Sequence, residues 1–181
     1  GNIFEYIFFK DTLDTGMDFF HSIEYVRERM PYEKWNTLYP PLANLFFYLL
    51  SLLVPSSQSL NWADNFIDSV MARGTNQDLR TNQAPMILFI LFIIITVLLL
   101  YNLVFNYLAE YKYAKMLSIC FVFSFGVLSA YERGNIIIVS LIGCMYYLMN
   151  RNSKNRIRSE FALICLAISA GLKIYPALLG F

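Results

Sequence analysis

The sequence predicts an all-α fold: a polytopic helix bundle integral to a membrane. Two observations carry that reading. Of the 181 residues, 57% are hydrophobic and only 15% charged, against about a quarter charged in an average soluble domain. The apolar residues also gather in runs on the scale of the about 20 residues needed to cross about 30 Å of hydrocarbon, and no Asp or Glu lies inside any of them. A formal net charge of +1 offers no basic face to neutralise phosphates, so a nucleic-acid partner is not expected. Cys120, Cys144 and Cys165 stand singly in apolar segments, without the paired spacing of a zinc site or a redox dithiol.

The elements follow in chain order. Gly1 to Pro40 is a polar stretch containing "DFFHSIEYVRERM". There Phe19, Phe20, Ile23, Val26 and Met30 recur at helical spacing, with Glu24, Arg27 and Glu28 elsewhere around the wheel. That pattern predicts an amphipathic juxtamembrane helix lying on the membrane surface, starting near Thr15 with Asp18 as the partner in a capping box. "LANLFFYLLSLLV" (Leu42 to Val54) is apolar but short for a crossing, and a second polar stretch runs from Pro55 to Ala84. Spans are then expected at Pro85 to Leu108, Ala114 to Ala130, Asn135 to Met149, and from Phe161 onward. The chain starts without Met and stops inside an apolar run, so it reads as a fragment of a longer polytopic protein, with no cleavable signal peptide at its start.

Arg151, Lys154, Arg156 and Arg158 crowd one short loop, which the positive-inside tendency places in the cytoplasm. "YERGN" (Tyr131 to Asn135) then faces the other side. Residues 1–40 form an extracytoplasmic loop and 41–181 the membrane region. Keeping that first loop on the same side as "YERGN" requires either that Leu42 to Val54 is re-entrant, that "WADNFIDSVM" helps the chain return, or that one of the shorter runs does not cross.

Asp18 in the first turn of a helix has a simple role in capping, and Asp11, Asp14 and His21 read most simply as solvated loop residues. The hard carboxylate oxygens of the aspartates also suit a divalent cation, magnesium or manganese. In "SAYERGNIIIVSL" a cation, a glycine and Asn135 share a very short turn. Either Glu132 and Arg133 pair with each other there, or the Arg133 guanidinium holds a phosphate. Lys173 lies thirteen residues past Glu160 inside an apolar run, about 20 Å along at helical rise. It either snorkels to the outer interface or pairs with an anion. Tyr175 and Pro176 suggest a break just beyond it.

In this order the pieces resemble the polyprenol-phosphate-dependent glycosyltransferases of the GT-C superfamily, specifically the glycosyltransferase family 87 (DUF2029) group. "MDFFHSIEYVRERMPYEKWNTLYPPLANL" matches that family's early loop at Asp18, Pro31, Tyr32, Tyr39, Pro40 and Pro41. "ERGNIIIVSL", "NRNSKNRIR" and "AISAGLKIYPALL" match its later turn, basic loop and lysine-bearing helix end. The resemblance implies a GT-C type bundle in which Asp18 is the catalytic carboxylate and Arg133 and Lys173 bind the donor phosphate. It implies Asp14 and Asp11 as supporting or metal-holding groups, and His21, Tyr39, Glu132, Asn135 and Tyr175 around the substrate cavity. The implied activity is transfer of a hexose such as mannose from a polyprenyl-phosphate sugar to a lipid or glycan acceptor on the extracytoplasmic side. The setting is multi-pass, in a bacterial inner or plasma membrane or in the endoplasmic reticulum. The rival expectations are a membrane transporter, against which the absence of acids from the apolar runs counts, and a non-catalytic membrane scaffold.

Overall fold

The computed structural model describes residues 15–27, 31–33, 36–54, 80 and 82–180. Among them the secondary structure is helical, with no strand. The α-helices are α1 (Met17–Arg27), α2 (Pro41–Ser51), α3 (Gln83–Tyr107), α4 (Ala114–Val122), α5 (Phe125–Arg133), α6 (Ile137–Asn150) and α7 (Arg156–Leu172), followed by a 3₁₀-helix at Tyr175–Gly180. Asp11, Asp14 and the "WADNFIDSVM" segment lie outside the described residues.

Helix α3 carries the clearest hydropathy signal, and it is long and apolar enough to cross a membrane. Its most apolar window is only 22% buried, and Ile87, Ile90, Ile94, Ile95, Leu98 and Leu99 are exposed. A soluble domain rarely leaves so continuous an apolar surface bare. Thr96, the polar residue in mid-helix, donates its hydroxyl to the Phe92 carbonyl at 2.7 Å, which removes its cost in an apolar setting.

The expected span at Ala114 to Ala130 is two helices, α4 and α5, bent by 46°. The break has a local cause. Ser124 is extended, with ψ 151, and its carbonyl accepts the Leu128 N–H at 2.9 Å to restart the helix. The two later apolar runs form α6, with 14 residues, and α7, with 17. Among the described residues α3 alone is by itself long and apolar enough to cross a membrane, or two segments if the bent α4–α5 pair is one span, fewer than the multi-pass expectation. Asn155 fixes the start of α7 by accepting the Arg158 N–H at 3.3 Å. The extended backbone of Lys173 ends it, and Pro176 follows within the 3₁₀ turn.

Helices α6 and α7 form the most extensive pair. Their axes approach closely because Gly143 faces Ser169 and the Cys165 carbonyl, where a Cβ would have no room. Ser140 donates across the pair to the Ser169 carbonyl at 3.0 Å. Small residues with an interhelical hydrogen bond are the usual glue between helices in an apolar medium, where lipid competes with any larger apolar contact.

Helix α2, with 11 residues, rises about 16 Å and cannot cross. It begins beside the end of α7, where Leu42 fills the space next to Gly171. Helix α1 departs from expectation. It does not lie on a surface with a solvated polar side, because His21, Ser22 and Glu24 are buried along with Phe19, Phe20, Ile23 and Val26. Phe19 explains this: its ring meets those of Phe47, Phe89 and Phe92 at centroid distances of 5.9, 5.3 and 5.4 Å. That aromatic cluster pulls the helix inward between α2 and α3.

Candidate active site

Two left-handed glycines build the site. Gly16 (φ 72) precedes α1, and its carbonyl accepts the N–H groups of Phe19 and Phe20 at 3.0 Å each. Gly134 (φ 65) ends α5. There the N–H of Asn135 bonds to the Ala130 carbonyl and that of Gly134 to the Tyr131 carbonyl, both at 2.9 Å, which is the pair of bonds that defines a Schellman motif. The two turns are fastened together by Gly16 N–H donating to the Glu132 carbonyl at 2.7 Å. A Cβ on Gly134 would stand 2.6 Å from that of Phe19, so glycine is needed for close approach as well as for its dihedral.

This fastening sets Asp18, in the first turn of α1, opposite Arg133 and Asn135. Arg133 grips the carboxylate with two parallel bonds, Nε to Oδ2 at 2.9 Å and Nη2 to Oδ1 at 3.1 Å. Asn135 donates its Nδ2 to Oδ2 at 2.6 Å. Its Oδ1 accepts the Ile137 N–H at 2.9 Å, opening α6, and that bond fixes which way the amide points. Asp18 therefore does not serve in a capping box with Thr15; its carboxylate is spent 115 residues away in sequence. Arg133, for which the sequence left open pairing with Glu132 or holding a phosphate, pairs with Asp18. The Asp18 side chain is 14% exposed and that of Arg133 38%, so the pair is partly open to its surroundings.

Lys173 and Tyr39 complete the constellation. The "TLYPP" stretch turns under local constraints: Asn36 has φ 48, Thr37 N–H bonds to the Pro31 carbonyl at 3.0 Å, and Tyr32 donates its hydroxyl to the Tyr39 carbonyl at 3.0 Å. Lys173, released from helical geometry at the end of α7, places Nζ 4.2 Å from the centre of the Tyr39 ring. That cation–π contact gives the ammonium an aromatic face. Asp18 and Arg133 both act electrostatically on Lys173 and on Tyr39. Burial first, and then the Asp18 carboxylate, push the Tyr39 hydroxyl above its ordinary value, with Arg133 pulling the other way.

Beside Lys173 opens a cavity of about 520 Å³, with Tyr32, Thr37, Tyr39, Pro41 and Tyr175 among its walls. Tyr175 is 70% exposed at its rim. Of the residues expected around a substrate cavity, Tyr39, Asn135 and Tyr175 thus lie in or beside the constellation. Glu132 contributes its backbone carbonyl. His21 is elsewhere: it is buried and stacked on Tyr25 with ring centroids 5.6 Å apart, so it is neither solvated nor on the cavity wall. Among the described residues no group of three or more His, Cys, Asp or Glu gathers to hold a metal ion, and Asp11 and Asp14 fall outside them.

Sequence reasoning missed Gly16, Phe19 and Tyr32 as parts of the site. The signal for Gly16 was its place directly before the helix carrying Asp18, and that for Tyr32 its match to the early loop of the resembled family; for Phe19 the helical spacing pointed only to a buried face. No protein-family model matches the chain, and no curated protein or solved structure matches it.

Proposed function

We propose that the chain belongs to a multi-pass membrane glycosyltransferase of GT-C type. It would move a hexose such as mannose from a polyprenyl-phosphate sugar to an acceptor hydroxyl on the extracytoplasmic side. The observation that carries this reading is that Asp18, bonded to Arg133 from a distant part of the chain, lies within electrostatic reach of Lys173, which itself lines an open cavity with Tyr39.

The chemistry fits that inventory. In the transfer, the acceptor oxygen bonds to the anomeric carbon and gives its proton to Asp18. The bond from that carbon to the phosphate oxygen breaks, and its electron pair leaves on the polyprenyl phosphate. A phosphate is already a good leaving group, so one base and a cationic cradle suffice, without the paired carboxylates of a glycosidase. Arg133 is engaged by Asp18 at rest. The donor phosphate, arriving beside Lys173, competes for that guanidinium, and each bond it takes releases a carboxylate oxygen of Asp18 to act as base. Lys173 then adds a second positive charge where negative charge develops.

The closed Asp18–Arg133 pair also supports a second reading, a scaffold in which it ties α1 to the 133–135 turn. The readings part at Lys173, which such a tie does not need. In full-length protein, Lys173→Met is expected to raise the KM for a radiolabelled polyprenyl-phosphate hexose and to lower kcat/KM by about 10²-fold. Unchanged kinetics in that variant would remove Lys173 from the donor site, and absence of transfer by wild type would favour the scaffold.

A further inference from the structure

At the end of the molecule opposite Asp18, the last turns of α3 and α6 and the first turn of α7 enclose a second cavity, of about 560 Å³. Its polar wall is made by Asn106, Tyr107, Tyr146, Asn150 and Arg158. These side chains supply a guanidinium, two carboxamides and two phenols, and no acid lines the space. Asn150 is oriented by donating Nδ2 to the Tyr146 carbonyl at 3.0 Å. Arg156, two residues before Arg158, is drawn to Glu160 at 3.6 Å, and Arg151 lies over the Tyr147 ring at 5.9 Å. Arg158 has no acidic partner among the described residues.

The surroundings have one sign. The loops at this end, residues 108–115 and 150–160, hold Lys112, Lys115, Arg151, Lys154, Arg156 and Arg158 against Glu110 and Glu160. Directly beside the cavity mouth the surface turns apolar, with Ile157, Phe161 and Ile164 exposed along α7. A donor-rich, acid-free pocket joined to a bare apolar flank matches a molecule with a phosphate at one end and hydrocarbon at the other.

We infer that this cavity binds the phosphate headgroup of an anionic phospholipid, its acyl chains lying along the exposed face of α7. Basic pockets between helices at the positive side of a membrane protein are suited to such headgroups, and the guanidinium fork suits phosphate oxygens. The inference rests on the membrane placement of the helices but not on glycosyl transfer at the other end.

The test is native mass spectrometry of the full-length protein released from mixed phosphatidylglycerol and phosphatidylcholine nanodiscs. Wild type is expected to retain phosphatidylglycerol in preference to phosphatidylcholine. Arg158→Gln should lose about tenfold of that retention, the value of one charge-assisted contact. Lys154→Gln, on the same loop but off the cavity wall, should retain it. Because the Arg158 side chain is exposed, its removal spares the packing, and Tyr146→Phe provides a second, milder loss. Equal loss in Arg158→Gln and Lys154→Gln would reduce the effect to diffuse surface charge and overturn the site. Displacement of the lipid by millimolar inorganic phosphate would overturn the lipid in favour of a simple anion site. Extraction of the wild type from membranes by alkaline carbonate would instead refute the membrane placement itself.

Discussion

Gly134 is the residue on which the geometry of the site turns. A side chain there meets two penalties: the left-handed dihedral, about 1–2 kcal/mol for a residue with a Cβ, and a Cβ placed 2.6 Å from that of Phe19. Gly134→Ala is therefore expected to lower the thermal unfolding midpoint in detergent and to separate Asp18 from Arg133. A variant as stable as wild type would show that the turn is not pinned. Tyr39 gives a pH signature. Its raised pKa means that the folded state holds the proton more tightly than the unfolded chain does. The stability from this residue is whole below about pH 10, the ordinary tyrosine value, and is lost as pH rises toward the folded value. Wild type should thus lose stability relative to Tyr39→Phe only above about pH 10; a gap between them that does not change with pH would contradict the burial of the hydroxyl. Local polarity drew attention to Asp18, Arg133 and Asn135, but their place in one site came from the family resemblance, since the residues alone left Asp18 a capping acid and Arg133 open between two roles. The stacking of Lys173 on Tyr39 was not legible, since it depends on where two chain segments 134 positions apart come to rest.

The helices show what hydropathy does and does not encode. The apolar run of α3 needs no tertiary partner to declare itself, and its observed bounds, Gln83–Tyr107, fall within two residues of expectation. The break between α4 and α5 was hidden because Phe123 and Ser124 do not interrupt the apolar composition. The inward position of α1 was hidden for a different reason: its amphipathic pattern suits a membrane surface, but the ring cluster around Phe19 outweighs it. Burying a phenylalanine that fully is worth about 3–5 kcal/mol against its truncation to alanine. At the α6–α7 seam, the closest wall to Gly143 is Ser169 with the Cys165 carbonyl behind it. Gly143→Leu should force the pair apart at a cost of about 1–3 kcal/mol, read as an earlier loss of helicity on heating. An unshifted transition would mean that the seam has slack.

Across the whole molecule the chemistry is divided between two ends. The described residues between 15 and 40, the 131–135 turn and Lys173 meet at one; the basic loops gather at the other. Direct contact of Asp18 with Arg133 brings the start of α1 and "YERGN" to the same end of the molecule, and helix α2 is too short to cross a membrane. Under the proposed function this polarity would set the donor phosphate at the Asp18 end and leave the basic loops at the other. The most direct measurement is hexose transfer from a radiolabelled polyprenyl-phosphate donor to membrane acceptors, comparing full-length wild type with Asp18→Asn that is still inserted and folded. Transfer by wild type and a loss of at least about 10²-fold in the variant is the result predicted here, whereas equal transfer by both would take Asp18 out of the mechanism.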